Sequence, residues 1–390
     1  MYHFDVERAH GIRNIHLIYL CVFILLGTGL VTLYSASYTF SYNFLKDGNL
    51  LIKKQLVFAA IGIALFFLFS YLSLDILRKS VLPLVCIAAI LCLLTIIPGI
   101  GAEKGGATRW LEKGILSYQP SEMVKFVLPL YLAHSLDKKS DRLDAFTPGF
   151  LSPVLVTVLF FFLIFFQNNF STAIFIVFNV LVIFILAGMK WRYFFSAVTM
   201  IVPISVLLIF TRDHRVRRLL SFFDPDFEPL RAGYQMNASK EAIASSGFFG
   251  RGIGEGTRKI ASVPTIHSDF IMCSYIEETG FLGLLILLVM FGILAFLGYK
   301  AAIKSKTVFG RLLAAGATTM IVSQALLNIA VVCGALPATG IPFPFFSAGG
   351  SSLVTTFICA GMVFNVARKE GVNKISELNF SYNNMEDENE

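Results

Sequence analysis

The amino-acid sequence predicts an all-α polytopic membrane protein with about ten transmembrane helices. Hydrophobic residues make up 56% of the 390 residues and charged residues only 15%, whereas soluble domains carry about 25% charged residues. The mean hydropathy is +0.73. Apolar segments close to the length that a bilayer-spanning helix requires, about 20 residues, recur along the whole chain. A soluble globular protein is therefore excluded.

The predicted spans are separated by short polar loops, except for one long segment at 211–268. The first span could be mistaken for a cleaved signal peptide, because Ser35-Ala36-Ser37 resembles a cleavage site. Its apolar stretch is longer than that of an ordinary signal peptide and further spans follow, so we expect it to be retained as a helix. The ten predicted spans are 15–36, 55–72, 81–97, 121–136, 150–166, 170–188, 193–210, 270–299, 312–334 and 351–367.

Lys and Arg are concentrated in alternate loops, on the side of the predicted bundle where both termini lie. Cytoplasmic loops carry this excess, so we expect both termini in the cytoplasm. The segment 211–268 would be extracytoplasmic although it is basic, because long loops are translocated largely regardless of their charge. Its positive charge predicts an anionic partner outside the cytoplasm. Its Lys and Arg residues are Arg212, Arg215, Arg217, Arg218, Arg231, Lys240, Arg251, Arg258 and Lys259.

The composition excludes several other classes of protein. The net charge of +7 does not indicate a nucleic-acid partner, because no basic face interleaved with exposed aromatic residues is present. The six cysteines lie in apolar runs without metal-like pairing, which predicts neither disulfides nor zinc. We expect residues 1–375 to form one transmembrane domain and 376–390 to form a disordered acidic tail in the cytoplasm. No internal repeat argues for an inverted-repeat transporter.

Glu122 and Lys125 lie one helical turn apart just after Pro120, and proline is a favoured first residue of a helix. Arg109 precedes them in a short outer loop. The two charges could form an ion pair that steadies the helix. Alternatively, Lys125 offers a cation to a phosphate and Glu122 orients it. The cost of charged residues near a bilayer favours this second interpretation.

A polar, glycine-rich segment leads into the eighth predicted span. The glycines between 247 and 256, together with Arg251 and Lys259, could fold into a loop whose amides and cations face an anion. A flexible linker is the alternative, since a loose glycine pattern is a weak signal.

His267, Ser268 and Asp269 follow this segment at the point where the chain passes from water into hydrocarbon. A carboxylate at such a position is costly unless it is used, although Asp269 could also simply cap the helix. Glu277 lies eight residues further on, and so on roughly the same helix face as Asp269. A buried carboxylate there needs a partner, for which Lys125 is the expected candidate.

The segment 336–352 is expected to form a re-entrant loop before the tenth helix. Its three prolines exclude a continuous helix, yet the segment is too apolar for water. Irregular backbone at membrane depth is tolerated only where protein buries it. The tenth helix would begin at Gly349, Gly350 and Ser351, whose free amides could hold an anion. A purely structural plug is the alternative.

Taken in order, these motifs resemble those of the SEDS family of polytopic membrane glycosyltransferases, which includes FtsW, RodA and SpoVE. Each motif is weak alone, but the ordered set is specific and covers nearly the whole chain. The resemblance is carried by Tyr34-Ser35-Ala36-Ser37, Arg109-Trp110, Gln119-Pro120-Ser121-Glu122 with Lys125, Tyr234-Gln235, residues 250–256, His267-Ser268-Asp269-Phe270, Thr339-Gly340-Ile341-Pro342 and Gly349-Gly350-Ser351-Ser352.

The resemblance implies polymerisation of lipid II into glycan strands of peptidoglycan, on the outer face of the bacterial cytoplasmic membrane, during cell division. It implies a class B penicillin-binding protein (a transpeptidase) and other divisome membrane proteins as partners. It identifies no certain cofactor and leaves a divalent cation open. The catalytic carboxylate would be Asp269. The substrate-binding residues would be Lys125, Glu122, Arg109, His267, Ser268, Arg251, Lys259, Gly349, Gly350 and Ser351.

The chain departs from the family pattern at two acidic positions. Relatives have Leu-Pro-Glu before the histidine where this chain has Val263-Pro264-Thr265, and Asn169 stands where they have aspartate. Any role of those two acids is in doubt here, whereas Asp269 is unaffected.

Three other functions remain open from the sequence: a RodA-like polymerase of cell elongation, a lipid II flippase or transporter, and a structural scaffold. A flippase should place ionisable groups along a path across the midplane, whereas here they collect near one face. A scaffold would not need Asp269. Gln324, Asn328 and the 339–342 motif favour the division-type members of the family.

Overall fold

The structure is a computed structural model that describes the backbone of residues 2–104, 106–113, 116–139, 146–224, 227, 234–256 and 268–387. Within these ranges, side chains are described except at residues 2–14, 104, 113, 116, 146–148 and 370–387. The helices are α1 (Tyr2–Leu45), α2 (Leu50–Tyr71), α3 (Leu74–Ile96), α4 (Pro120–Asp137), α5 (Phe146–Phe166), α6 (Phe170–Leu186), α7 (Trp191–Ile209), α8 (Asp213–Phe223), α9 (Tyr234–Ser246), α10 (Ile271–Lys304), α11 (Val308–Val332) and α12 (Gly350–Asp387).

The ten longer helices correspond to the ten predicted spans, which confirms the predicted fold class. Eight of the described helices are long and apolar enough to cross a membrane. Helix α6 is apolar but has 17 residues, and α4 has 18 residues that include buried polar and charged side chains. The segment between α7 and α10 contains the two short helices α8 and α9, which the sequence did not predict.

A small antiparallel sheet between α3 and α4 was also not predicted. Its strands are β1 (Gly101–Lys104), β2 (Ala107–Lys113) and β3 (Leu116–Tyr118), in the order β1-β2-β3. Strands of 4, 7 and 3 residues are too short to give a clear alternating pattern in the sequence. The pairing of Ala102 with Trp110 and of Leu111 with Tyr118 fixes the register. The sheet thereby positions Arg109, in β2, beside the helical bundle.

Helix α4 lies at the centre of the bundle, in contact with α3, α5, α6, α11 and α12. It begins at Pro120, whose fixed backbone angle suits the first helical position. Helix α7 is at the opposite extreme, because none of its residues is buried and it contacts mainly α6. The protein interior therefore surrounds the charged residues of α4, while α7 faces its surroundings almost alone.

The segment between α11 and α12 is a buried, non-helical loop, as the re-entrant prediction expected. The side chains of Ile341, Phe343 and Phe346 are almost wholly buried. Gln324 and Asn328 of α11 each donate a hydrogen bond of 2.8 Å to this loop, to the carbonyls of Pro342 and Ile341 respectively. Protein groups therefore satisfy carbonyls that a bilayer could not.

Helix α12 includes residues 376–387, for which we expected disorder. Its residues up to 366 are mostly buried against other helices, chiefly α2, α11 and α1. The last three residues of the expected tail, 388–390, lie outside the described residues.

Candidate functional site

Asp269 lies between the long segment that follows α7 and the start of α10, close to α11 and to the re-entrant loop. Its carbonyl accepts a 2.8 Å hydrogen bond from the Asn328 amide. The preceding carbonyl, of Ser268, accepts one of 2.6 Å from the Ser347 hydroxyl. A Cβ atom at Gly340 would stand 3.4 Å from the Asp269 Oδ2, and Gly340 itself has a φ of +70°. Glycine at 340 thus permits the loop to turn closely around this carboxylate.

A cavity of about 640 Å³ opens beside this loop, between α6, α8, α11 and β2. This volume is in the range of sites for small organic ligands. Its walls are mainly apolar, and its cationic or ionisable residues come from two segments distant in sequence: Arg109, His214, Arg215 and Arg218. Pro337, Ala338 and Thr339 of the re-entrant loop form another wall, next to Gly340 and Asp269. The cavity therefore combines apolar walls, positive charge and a neighbouring carboxylate.

The charges around the cavity influence one another. Burial, together with the positive charges of Arg218 and Arg215, lowers the pKa of the Arg109 guanidinium to about 10, while Asp269 opposes this shift. Arg109 thus stays protonated at neutral pH. Burial raises the pKa of the Asp269 carboxyl, an effect that Arg218 and Arg109 oppose. Partial burial and the arginines around it lower the pKa of His214, so its imidazole is mostly neutral at pH 7.

The two arginines of α8 at the cavity differ in how firmly their side chains are held by the rest of the protein. Arg215 lies between the rings of Phe165 and Phe170, with its guanidinium carbon 4.7 and 5.0 Å from their centroids. It also donates to the Leu208 carbonyl at 2.8 Å. Arg218 is exposed, and its contact to the Ala338 carbonyl is long, at 3.5 Å. Arg215 therefore anchors α8 to the bundle, whereas Arg218 is free to bind an anion in the cavity.

Sequence reasoning did not single out His214, Arg215 and Arg218 as site residues. The two arginines were counted only as part of a basic segment, and His214 was not considered. A usable signal was present in the segment Asp213–Phe223, where basic and apolar residues alternate with helical spacing. Such an amphipathic helix is expected to lie at an interface with its cations toward polar groups.

Arg109 was predicted as a site residue, and the structure places it on the cavity wall. Its guanidinium donates a 2.7 Å hydrogen bond to the carbonyl of Asn168, at the turn before α6. The Nε atom is buried and makes no hydrogen bond within the described part of the chain. Asn169, where relatives have aspartate, also lines the cavity. The position of this departure from the family pattern therefore lies at the same cavity as Arg109.

Lys125 and Glu122 do form the close pair that their spacing suggested, but deep in the bundle. The Lys125 ammonium donates to Glu122 at 2.7 Å and to Gln324 at 3.0 Å. The two side chains are 0% and 2% exposed. The ring of Phe175, which lines the cavity, lies 5.6 Å from the ammonium. Lys125 therefore lies behind the cavity wall, which favours the ion-pair interpretation.

The expectation that Glu277 pairs with Lys125 is wrong. The Glu277 carboxylate lies 4.0 Å from the Arg251 guanidinium, while Lys125 is held by Glu122 and Gln324. Both carboxylates are buried, so each takes the cation that its own surroundings supply. The spacing of residues along one helix predicts a shared face, but it cannot predict which segment covers that face.

The glycine-rich loop is used to cover a break in α10. Helix α10 departs from helical geometry at Gly280, with φ 70° and ψ −164°. The amides of Arg251 and Gly252 donate hydrogen bonds of 3.0 Å to the Glu277 and Glu278 carbonyls, which the break would otherwise leave open. These two amides are therefore not free for an anion, contrary to our expectation. The side chain of Arg251 is exposed and stays a predicted ligand.

The remaining predicted residues fall into two groups. Gly349, Gly350 and Ser351 lie at the start of α12, where the Ser351 hydroxyl accepts a 3.1 Å hydrogen bond from the Gln119 amide. They connect α12 to the start of α4, and they are not among the residues that line the cavity. Lys259 and His267 lie outside the described residues.

Comparison with known proteins gives consistent matches over nearly the whole chain. Residues 15–371 match the family FTSW_RODA_SPOVE, described as cell cycle protein. The chain is 35% identical over 341 residues to a probable peptidoglycan glycosyltransferase FtsW of Geobacter sp. (strain M18), covering 87% of this chain and 93% of that protein. It is 32% identical over 352 residues to stage V sporulation protein E of Bacillus subtilis (strain 168), covering 90% and 96%.

Two solved structures share the fold. One is described as "Structural coordination of polymerization and crosslinking by a peptidoglycan synthase complex". A chain in it matches with a TM-score of 0.75 and 27% identity, and the match covers 90% of this chain and 97% of that chain. The other is the rod shape determining protein RodA of Thermus thermophilus, with a TM-score of 0.67, 26% identity and coverage of 90% and 96%.

Proposed function

Because this chain belongs to the FtsW/RodA/SpoVE family, we propose that its cavity binds lipid II and that Asp269 is the general base of glycosyl transfer. The chain is a peptidoglycan glycosyltransferase, in agreement with the names of its relatives from Geobacter and from Borreliella burgdorferi. Its role is in cell division, since those relatives are named FtsW. The single observation that carries the site assignment is the position of Asp269 at Gly340, next to a cavity lined by three arginines.

The chemistry requires few groups. A sugar hydroxyl attacks the anomeric carbon of the donor sugar, the bond to the donor pyrophosphate breaks, and the hydroxyl proton goes to the Asp269 carboxylate. Pyrophosphate is a good leaving group when its charge is stabilised, so a second carboxylic acid is not needed to protonate it. Arg109 and Arg218 lie where they can stabilise that charge, and their fields already act on Asp269. The apolar walls suit a polyprenyl chain.

We propose that a divalent cation, which the sequence left open, would bind through the pyrophosphate of the substrate. Among the described residues, no group of three or more His, Cys, Asp and Glu side chains is close enough to hold a metal ion. Pyrophosphate oxygens are ligands that Mg²⁺ accepts together with one or two carboxylates. Asp269, next to the cavity, would supply one such carboxylate.

The proposal also includes the surroundings of the enzyme. We place the protein in the bacterial cytoplasmic membrane with both termini in the cytoplasm, because the Lys and Arg residues collect at that end. A related chain occurs in a peptidoglycan synthase complex in which polymerization and crosslinking are coordinated. This supports a class B penicillin-binding transpeptidase as the partner, together with other divisome membrane proteins.

The orientation predicts opposite labelling of two exposed positions. In a background without native cysteines, Glu255→Cys in the glycine-rich loop should react with a membrane-impermeant maleimide added to intact spheroplasts. Lys304→Cys at the end of α10 should react only after the membrane is opened. Both side chains are exposed, so access to the thiol does not differ between them. Reaction of the two positions from the same side would refute the orientation.

Arg218 provides the test of lipid II binding in the cavity. We expect Arg218→Gln to lower lipid II polymerisation by purified, partner-bound protein about tenfold or more, since a hydrogen bond to a charged group contributes about 1.5–3 kcal/mol. Arg212→Gln is the matched control, because Arg212 is also an exposed arginine of the α8 region but does not line the cavity. Equal polymerisation rates in Arg218→Gln and Arg212→Gln would show that Arg218 does not bind the substrate.

The same assay separates the polymerase from a flippase. In detergent there is no membrane to cross, so a flippase would make no glycan from purified lipid II. The location of the arginines and Asp269 around one cavity, and not along a path between the two ends of the bundle, favours the polymerase.

A further inference from the structure

Arg368, near the end of the spanning part of α12, has no counter-ion in the described structure. Its guanidinium carbon lies 4.8 Å from the ring centroid of Tyr71, the last residue of α2. Its Nε atom is buried and makes no hydrogen bond to any described residue. Within the same set of residues, no Asp or Glu oxygen lies within ion-pair distance of it. A partly buried guanidinium without an acidic partner favours an anionic ligand.

Two cations next to Arg368 interact with acidic side chains. Arg78 forms a 3.0 Å ion pair with Asp137, whose second oxygen accepts the Phe309 amide at 2.9 Å. Lys369 interacts electrostatically with Asp75 as well as with Arg368 and Arg78. Of these three cations, Arg368 is therefore the one for which the described residues provide no acidic partner.

An aromatic, outward-facing surface continues from Arg368 toward the middle of the bundle. The Tyr71 hydroxyl lies 3.3 Å from that of Tyr19 on α1, and the Tyr19 ring lies 6.0 Å from Phe67 and 6.5 Å from Phe23. Tyr71, Phe67 and Phe23 are 57%, 39% and 36% exposed. The surface thus has a cation and two hydroxyls at one end and apolar rings below them. This order matches a phospholipid, with its headgroup at the interface and its acyl chains in the hydrocarbon.

We propose that Arg368 and Tyr71 bind the phosphate of an anionic phospholipid, whose acyl chains lie against Tyr19, Phe23 and Phe67. The site lies 18 residues along α12 from Gly350, about 27 Å at the rise of an α-helix, and so far from Asp269. The Lys and Arg pattern assigns this end of the bundle to the cytoplasmic leaflet. The proposal therefore adds a second, non-catalytic lipid site that does not depend on the proposed reaction.

The test is a lipid titration of the full-length purified protein, followed by native mass spectrometry. Phosphatidylglycerol and phosphatidylcholine with identical acyl chains are added separately. Wild-type protein should bind one phosphatidylglycerol more tightly than phosphatidylcholine, and Arg368→Gln should weaken phosphatidylglycerol binding about tenfold. Arg192→Gln is the control: Arg192 also lies over a tyrosine ring, at 4.6 Å, but it already donates a 2.7 Å hydrogen bond to the Tyr193 hydroxyl. We expect this variant to bind as wild type does.

A second variant and a competing anion complete the test. If Arg368→Gln does not fold, Tyr71→Leu removes the ring beneath the guanidinium while keeping the charge, and it should still weaken phosphatidylglycerol binding measurably. Inorganic phosphate at millimolar concentration should not displace the lipid, because it has no acyl chains to bury. Displacement by phosphate would instead identify a site for a free anion. Equal affinity for the two lipids, or equal loss in the Arg368 and Arg192 variants, would overturn the proposal.

Discussion

Asp269→Asn should abolish glycan synthesis by purified, partner-bound protein. Asparagine keeps the shape of the side chain, but it cannot accept the proton of the attacking hydroxyl. Capping of α10 does not depend on this side chain, because the N-cap residue is Phe270 and no side chain caps the helix. Loss of a general base typically lowers the rate about 10²- to 10⁴-fold. The backbone contacts of residue 269, to Asn328 through its carbonyl, do not depend on the carboxylate. The variant should therefore fold normally. The measurement is the length and amount of glycan made from purified lipid II.

Asp213→Asn is a suitable control for this experiment. Asp213 is an exposed acid at the start of α8, beside the cavity residue His214, so it tests a change of one negative charge nearby. We expect its polymerisation rate to stay within a few-fold of wild type. If Asp269→Asn made glycan as well as Asp213→Asn did, Asp269 would have no part in the reaction.

The pH dependence gives a second measure of the same residue. A general base works only when deprotonated, and burial raises the pKa of Asp269 above its ordinary value. Activity should therefore fall, as the pH is lowered, at a higher pH than for an ordinary aspartate. Arg109 and Arg218 oppose that rise, so Arg218→Gln should move the acidic limb of the pH–rate profile to still higher pH. Arg212→Gln should leave the limb nearly where it is in wild type.

The sequence predicted those features that depend on local composition. Ten apolar segments predicted the ten longer helices, because a bilayer requires about 20 apolar residues for each span. Prolines in an apolar segment predicted the buried loop after α11, because irregular backbone must be covered by protein. Asp269 was identified by its position at a span boundary and by a family resemblance. Its geometric setting was not predicted.

Contacts between segments far apart in the chain could not be predicted in the same way. Arg218 meets Ala338 although 120 residues separate them. The glycine-rich loop near Arg251 covers the break at Gly280, where an added Cβ would collide with the Gly250 amide and the Phe248 carbonyl. A glycine pattern cannot distinguish such a close approach from an anion-binding loop, because both need the same freedom of the backbone. The two interpretations differ only in what lies opposite the loop.

The charged residues lie in two layers, one at the cavity and one deeper in the bundle, and we infer that the two layers have different roles. The cavity layer holds the partly accessible arginines, where an anionic substrate can reach them. The inner layer holds Glu122 and Lys125, which join α4 to α11 through Gln324. A charge that is 0% exposed and already has two partners has little capacity left for a substrate phosphate. We therefore expect the inner pair to act on folding more than on catalysis.

Lys125→Ala should destabilise the protein strongly, because it leaves the Glu122 carboxylate buried without its cation. Breaking a buried ion pair in this way costs about 3–5 kcal/mol. Glu122 is 2% exposed, and its Oε2 already makes no hydrogen bond to any described residue. The loss should appear as a lower midpoint of thermal unfolding in detergent and a lower yield of folded protein. Lys125→Arg should rescue stability poorly, since a planar guanidinium does not fit the space of an ammonium.

The double variant Glu122→Gln, Lys125→Met decides between the two interpretations of this pair. It removes both charges and keeps similar side-chain volumes, and neutral replacements of buried ion pairs are often as stable as the original. We expect it to recover most of the stability that Lys125→Ala loses and to polymerise lipid II at a rate within a few-fold of wild type per folded molecule. Loss of one charge-assisted contact should lower polymerisation about tenfold. If the double variant is stable but its polymerisation falls by more than this, Lys125 is a phosphate ligand in the substrate site.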